Sequence, residues 1–311
     1  MLALFRNQEG VNFVALLVYL ACLKLPFFFI PPESTGLVHY FDLSVNVSVF
    51  LAMFCILLQA MWLNILFARL AFYRSRTLIP AAIFISCTSV FPEFNRLNEM
   101  HIHMFVFLFV LNQFLAIRTQ EPGRVRAFYA GFALGVLGVF LNPSVTMVLF
   151  GLFCLVVKQP SSWREYAMYI LGILAPFYFF GAAEMYFDRG WNSLLPRNLS
   201  WFTPALTGQN LTLLVFSGIY LLAGLAGFVQ FLYTLHLLKQ KLAFTLMIFC
   251  IGIVVCIMIG GDYGLSILYL AVLPMSVFLS LLKLRIPNPL VSDVLHVIFV
   301  ITVLSLQFIR F

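Results

Sequence analysis

The chain alternates long apolar runs with short polar interruptions, and the runs set the expected architecture. A helix that crosses a bilayer needs about 20 mostly apolar residues, because a rise of 1.5 Å per residue must cover about 30 Å of hydrocarbon. Eleven runs approach that length: roughly 12–31, 44–68, 77–92, 100–117, 126–142, 144–157, 166–183, 210–233, 242–260, 264–282 and 290–308. They are continuous and do not alternate with a period of two, so helices are expected and not the strands of a barrel. The third and sixth are short. The fifth and sixth are separated only by Asn142 and Pro143, so that pair can also be one broken hairpin. The expectation is an all-α, polytopic transmembrane helical bundle of about 9–11 spans. It forms a single integral membrane domain over 1–311, with an outer loop at 184–209 and no soluble domain.

Composition agrees. Of 311 residues, 63% are hydrophobic and 9% are charged, with 36 Phe and 12 Tyr. Soluble chains carry about 25% charged residues, so this one has too few to cover a water-facing surface. Disorder is excluded because disordered chains are poor in apolar residues. The first run lacks a small-residue cleavage site, since Pro26 to Pro32 is rich in Phe and Pro, so it is expected to be a retained span.

Charge placement supplies an orientation. With the N-terminus cytoplasmic, the inner segments collect Arg6, Arg69, Arg74, Arg76, Arg118, Arg124, Arg126, Lys158, Arg164, Lys239, Lys241, Lys283 and Arg285. Arg96, Arg189, Arg197 and Arg310 fall outside. Lys and Arg favour the cytoplasmic side, which supports this assignment. Lys24 lies within the first run and reads as a side chain that snorkels to the interface. The net charge of +7 then calls for acidic lipid headgroups and no nucleic acid. Most acids sort to the other side: Glu33, Asp42, Glu93, Glu99, Glu184, Asp188 and Asp262.

Other features carry less chemistry. The six cysteines all fall within apolar runs and show no CxxC spacing, so neither a disulfide framework nor a zinc knuckle follows. Asn46, Asn198 and Asn210 match the glycan-acceptor pattern, which is common by chance. No P-loop, dinucleotide fingerprint or nucleophile elbow is present. Gly131, Gly135 and Gly138 form a small-residue stripe suited to close helix packing. Trp191 and Trp201 in the long outer loop suit a membrane interface.

The densest polar cluster is FPEFNRLNEMHIH at 91–103, which interrupts an apolar stretch. Pro92 ends one run, and Glu93, Asn95, Arg96, Asn98, Glu99, His101 and His103 follow before the next. Polar groups so close to hydrocarbon are expensive and usually face a cavity or one another. A short solvated turn with an internal Arg–Glu pair is the plainer alternative. His101 and His103, two apart on a helix, do not share a face. Glu99 and His103 do, but no metal site is assigned. The first outer loop, PPESTGLVHYFD, adds Glu33, His39 and Asp42, and Asp262 stands in the turn GGDYG. Arg96, with Arg189 and Arg197 in the long loop, suits phosphate contacts. Glu93, Glu99, His103 and Asp262 complete the candidate substrate-binding set.

The acidic first outer loop (Glu33, Asp42) and the outer turn with Arg96 and Glu99 resemble the type-C membrane glycosyltransferases that use polyprenyl-phosphate sugars. The likeness covers about residues 1–160. It implies Glu33 or Asp42 as catalytic base and Arg96 at the phosphate of a polyprenyl-phosphate-linked donor, with no other cofactor. The chain departs from that family in three ways: no paired acidic pattern in the first loop, a shorter long loop, and no soluble outer domain. LFRNQEGVNF (4–13) and FPEF (91–94) also resemble a family of multi-span inner-membrane proteins of Bacteroidetes-type bacteria, which implies the bacterial inner membrane but brings no activity.

Three readings stay open. One is a glycosyltransferase-like enzyme at the outer face. Another is a transporter or flippase for lipids or small molecules, with Lys24, Asn142–Pro143 and Pro176 as its interruptions. The third is a non-catalytic subunit that scaffolds a membrane protein partner.

Overall fold

The computed structural model describes residues 5, 10–29, 44–69, 77–117, 123–159, 162–187, 201–202, 208–233, 235, 237–286 and 288–308. The regular elements among them are helices: α1 (Gly10–Lys24), α2 (Pro26–Phe29), α3 (Val45–Arg69), α4 (Ile79–Thr88), α5 (Glu99–Ala116), α6 (Arg124–Phe140), α7 (Thr146–Lys158), α8 (Trp163–Tyr186), α9 (Gly208–Leu232), α10 (Leu237–Ile259), α11 (Val272–Arg285) and α12 (Pro289–Phe308). Short 3-10 segments lie at Pro92–Asn95, Asn142–Val145 and Gly261–Ala271. The fold is all-α, as the continuous apolar runs require.

Every one of the eleven runs contains a described helix, but their lengths differ from expectation. Six are long and apolar enough to cross a membrane: Val45–Arg69, Glu99–Ala116, Trp163–Tyr186, Leu214–Leu232, Lys239–Ile259 and Leu265–Lys283. The apolar stretches Gly10–Lys24, Asn142–Lys158 and Leu290–Ser305 are shorter. The third run forms only ten helical residues, and all ten are buried. Pro80 starts that helix, and Pro92 bars its continuation beyond the turn. Six such helices are consistent with a multi-span integral membrane protein.

The chain divides into two compact units. The first comprises Met1–Ile102, Pro204–Leu235 and Leu268–Phe311. Here α4 packs against α1, α3 and α11, and α9 packs along α11. A Cβ at Gly224 would stand 2.8 Å from Phe278 Cβ, so the glycine lets α9 and α11 approach closely. The rings of Phe228 and Phe278 sit 5.1 Å apart at the same crossing.

The second unit comprises His103–Thr203 and His236–Ile267. Its main contact is α6 against α8. A Cβ at Gly131 would run into the backbone of Tyr169 and would lie 3.2 Å from Ile173 N. A Cβ at Gly135 would meet Pro176 Cγ at 3.0 Å, and one at Gly138 would meet Phe177 Cζ at 2.9 Å. From the other side, Gly172 faces the backbone of Phe128 and Phe132. The glycine stripe thus does what its spacing suggests: it brings two helix backbones together, the main source of helix association where hydrocarbon supplies no hydrophobic drive.

Helix ends in this unit are closed by side chains. Lys158 Nζ donates to the carbonyls of Leu115 at 3.3 Å and Ile117 at 3.4 Å, where α5 runs out of intrahelical partners. Arg126 donates to Ala116 O nearby. Ser162 and Glu165 form a capping box at the start of α8, with Ser162 N donating to Glu165 Oε2 at 3.1 Å. The fifth and sixth runs are α6 and α7, joined by the 3-10 turn at Asn142–Val145.

Candidate functional site

The polar segment 91–101 folds into the interior of the first unit. Phe91 is extended, Pro92–Asn95 makes one 3-10 turn, and Arg96 returns to an extended backbone. Leu97 N donates to Ser48 Oγ of α3 at 3.1 Å, which ties the turn to its neighbour. Asn98 caps α5: its Oδ1 accepts from His101 N at 3.3 Å, the donor three positions into the helix. The cap explains why an apolar helix begins directly after a polar string.

These polar side chains do not form a solvated turn. Arg96 is 5% exposed and Asn98 3%, while His101 is fully buried. Burial pulls the Arg96 guanidinium down from its ordinary value, and no carboxylate among the described residues offsets that effect; an arginine stays charged regardless. The internal Arg–Glu pair expected for a plain turn is therefore not what holds Arg96. Glu93 is half-buried and Glu99 is exposed.

His101 is held on two sides. Its Nδ1 lies 2.7 Å from Asn98 Oδ1 and 3.3 Å from Asn98 N, an acceptor and a donor that compete for it; the shorter contact, to an amide oxygen that only accepts, favours the proton on Nδ1. Its ring lies against Tyr269, with centroids 4.4 Å apart. Tyr269 donates to Gln59 Oε1 at 2.6 Å, and Gln59 Nε2 donates to His101 O at 2.8 Å. Gln59 thus links α3, α5 and the segment leading into α11.

Lys24 joins the same region. It is fully buried and does not reach an interface as a snorkelling side chain would. Its Nζ donates to Thr88 Oγ1 at 3.1 Å and to Asn95 Oδ1. Both partners are neutral. Proximity to the turn was hidden in the sequence because Asn95 is far along the chain.

Within residues 95–101, three buried polar atoms have no hydrogen-bond partner among the described residues: Arg96 Nε, Asn98 Nδ2 and His101 Nε2. Buried polar groups are nearly always bonded, so each such atom needs an explanation. Two are N–H donors. His101 Nε2, with the proton on Nδ1, offers a lone pair.

His103 Nδ1 is also without a partner among the described residues, but the unit boundary falls between Ile102 and His103. Among the described residues no group of three or more His, Cys, Asp or Glu is placed to hold a metal. Glu33, Asp42, Arg189 and Arg197 lie outside the described residues. Asp262 is the second residue of the Gly261–Ala271 segment, and its side chain also lies outside them.

A second polar string crosses the same unit and drew no attention in the sequence. Tyr19 Oη lies 2.6 Å from Ser86 Oγ and 3.2 Å from His296 Nε2. Lys283 Nζ lies 2.7 Å from His296 Nδ1. All four residues are buried, and they come from α1, α4, α11 and α12. No protein-family model, curated protein or solved structure matches this chain.

Proposed function

We propose that this chain is a multi-span membrane protein, with its N-terminus cytoplasmic, that holds the phosphate of a lipid-linked donor at the turn before α5. In the fuller form of this reading it is a glycosyltransferase-like enzyme of a bacterial inner membrane. Arg96 and Asn98 take phosphate oxygens, Lys24 lends the positive charge behind Asn95, and Glu33 or Asp42 removes a proton from the acceptor hydroxyl. Arg189, Arg197, Asp262 and the remaining acids of the outer rim complete the binding surface.

The observation that carries the reading is the Arg96 Nε and the Asn98 Nδ2, two residues apart in the chain and both without a hydrogen-bond partner among the described residues, together with Lys24, whose partners among those residues are neutral. A buried cation without an anion is costly, and an anionic ligand removes that cost. Phosphate is favoured over a bare carboxylate because the site also offers an acceptor, His101 Nε2, to a hydroxyl or a protonated oxygen.

The test is binding of a short-chain polyprenyl phosphate to the purified chain in detergent. Arg96→Gln and Lys24→Met should each weaken it by roughly tenfold or more, the scale of one lost charge-assisted contact. Unchanged binding in both sinks the phosphate site. Should both variants bind poorly while Glu33→Ala and Asp42→Ala leave glycan products intact, the protein recognises the lipid without the proposed chemistry. A stoichiometric co-purifying partner would instead favour the scaffold reading.

A further inference from the structure

The string Lys283–His296–Tyr19–Ser86 shares no residue with the turn at 91–101 or with the Lys24 contacts. In its charged form Lys283 is donor-only and donates to His296 Nδ1 at 2.7 Å. Nδ1 then carries no proton, and the neutral imidazole must carry it on Nε2. That N–H points at Tyr19 Oη at 3.2 Å. Tyr19 in turn donates to Ser86 Oγ at 2.6 Å, and Ser86 donates to Ala82 O at 2.8 Å. Every donor direction agrees, and the string ends on a backbone carbonyl. It is therefore no through-path for protons. It is a tether that binds four helices in one protonation state.

We propose that Lys283 and His296 form a one-proton switch that controls how α11 and α12 hold to α1 and α4. The pair shares a single proton across the 2.7 Å contact. A second proton has only Nδ1 to occupy, where it would face the ammonium with no acceptor between them. In a buried setting that repulsion is strong. The contact then opens, and Lys283 loses its bond to α12. Because the tethered state accepts fewer protons than the separated one, its stability is present above the range where an exposed histidine titrates and is lost as pH falls through it.

The surroundings define what else can respond. Cys87 on α4 and Asp293 on α12 act electrostatically on Lys283. Tyr19 faces His296 from α1, and the Phe299 ring lies 5.7 Å from Lys283 Nζ. Asp293 and the N-terminal amine, which acts electrostatically on His296, can also take up a proton on acidification, so the non-titrating His296→Gln variant is what separates His296 from both.

Hydrogen exchange of the full chain in lipid nanodiscs, read by mass spectrometry from about pH 8 to about pH 5 and corrected for intrinsic rates, tests this. Exchange over 290–300 should rise roughly tenfold at the acid end, the change that one unit of proton linkage produces. His296→Gln keeps an acceptor for Lys283 and a donor for Tyr19 but cannot titrate, so its profile should be flat. Asp293→Asn should retain the rise. A rise that survives in His296→Gln, or that vanishes only in Asp293→Asn, overturns the proposal. The nitrogen shifts of the His296 ring in labelled wild-type protein give a second check that does not depend on any variant folding. A neutral ring protonated at Nε2 at neutral pH is expected, and one protonated at Nδ1 overturns the assignment.

Discussion

The two units put most of their buried polar groups to different uses. In the second, α6 and α8 meet along Gly131, Gly135 and Gly172, and buried charges such as Lys158 and Glu165 close helix ends. In the first, buried Lys24, Gln59, Arg96, Asn98, His101, Lys283 and His296 bond across helices or are left with atoms unpaired. Helix ends need capping in any fold, so polar groups used that way imply no ligand. Polar groups placed mid-bundle in an apolar chain are costly and are the ones to associate with function. Substitutions should therefore separate by unit: stability is at risk in the second, recognition in the first.

The largest effect should come from the glycine contact. Gly131→Val forces a branched side chain into the Tyr169 backbone and should cost about 3 kcal/mol, read as a lower thermal midpoint in detergent, while phosphate binding by the survivors stays intact. A variant as stable as wild type would show that α6 and α8 do not meet here. Next is Gln59→Leu, which strands the buried Tyr269 hydroxyl and removes the second bond to His101 O; about 2 kcal/mol is expected. This one blurs the comparison usefully, since it should lower both stability and binding. Ser162→Ala removes one half of the α8 capping box and should cost about 1 kcal/mol with no change in binding. Smallest in stability is Lys24→Met. It deletes an isolated buried charge while leaving Thr88 and Asn95 short of a donor, and the two effects should offset to within about 1 kcal/mol. Its loss of phosphate binding with near-normal melting is the sharpest form of the contrast, and a large drop in melting would break it.

Much of the layout was legible along the chain. Apolar runs located the helices, and the glycine spacing located a helix contact. The cluster at 91–103 stood out because so many polar residues interrupt hydrocarbon-like sequence. Which of them turn inward was not legible. His103 attracted attention for its i, i+4 relation to Glu99, yet His101 is the ring that packs on Tyr269 and bonds to Asn98. That choice depends on Gln59 and Tyr269, which are distant in sequence. Lys24 read as snorkelling because only its own helix was in view; its partners come from α4 and the following turn. Tyr19 and His296 gave no signal at all, since an isolated Tyr or His in an apolar run is unremarkable until the two ends of the chain meet.

The ten buried residues of α4 bear on how the protein is made. Such a helix reaches about 15 Å, half of the hydrocarbon thickness, so lipid alone cannot hold it upright. Its side chains Ser86 and Thr88 are buried against other helices and not against lipid. One of the helices that encloses it, α11, is synthesised far later. During synthesis α4 is therefore a guest awaiting its room, and the first unit closes only when the last part of the chain arrives. A ribosome stalled before α11 should leave α4 open to proteolysis, while α6 and α8, complete much earlier, are already paired.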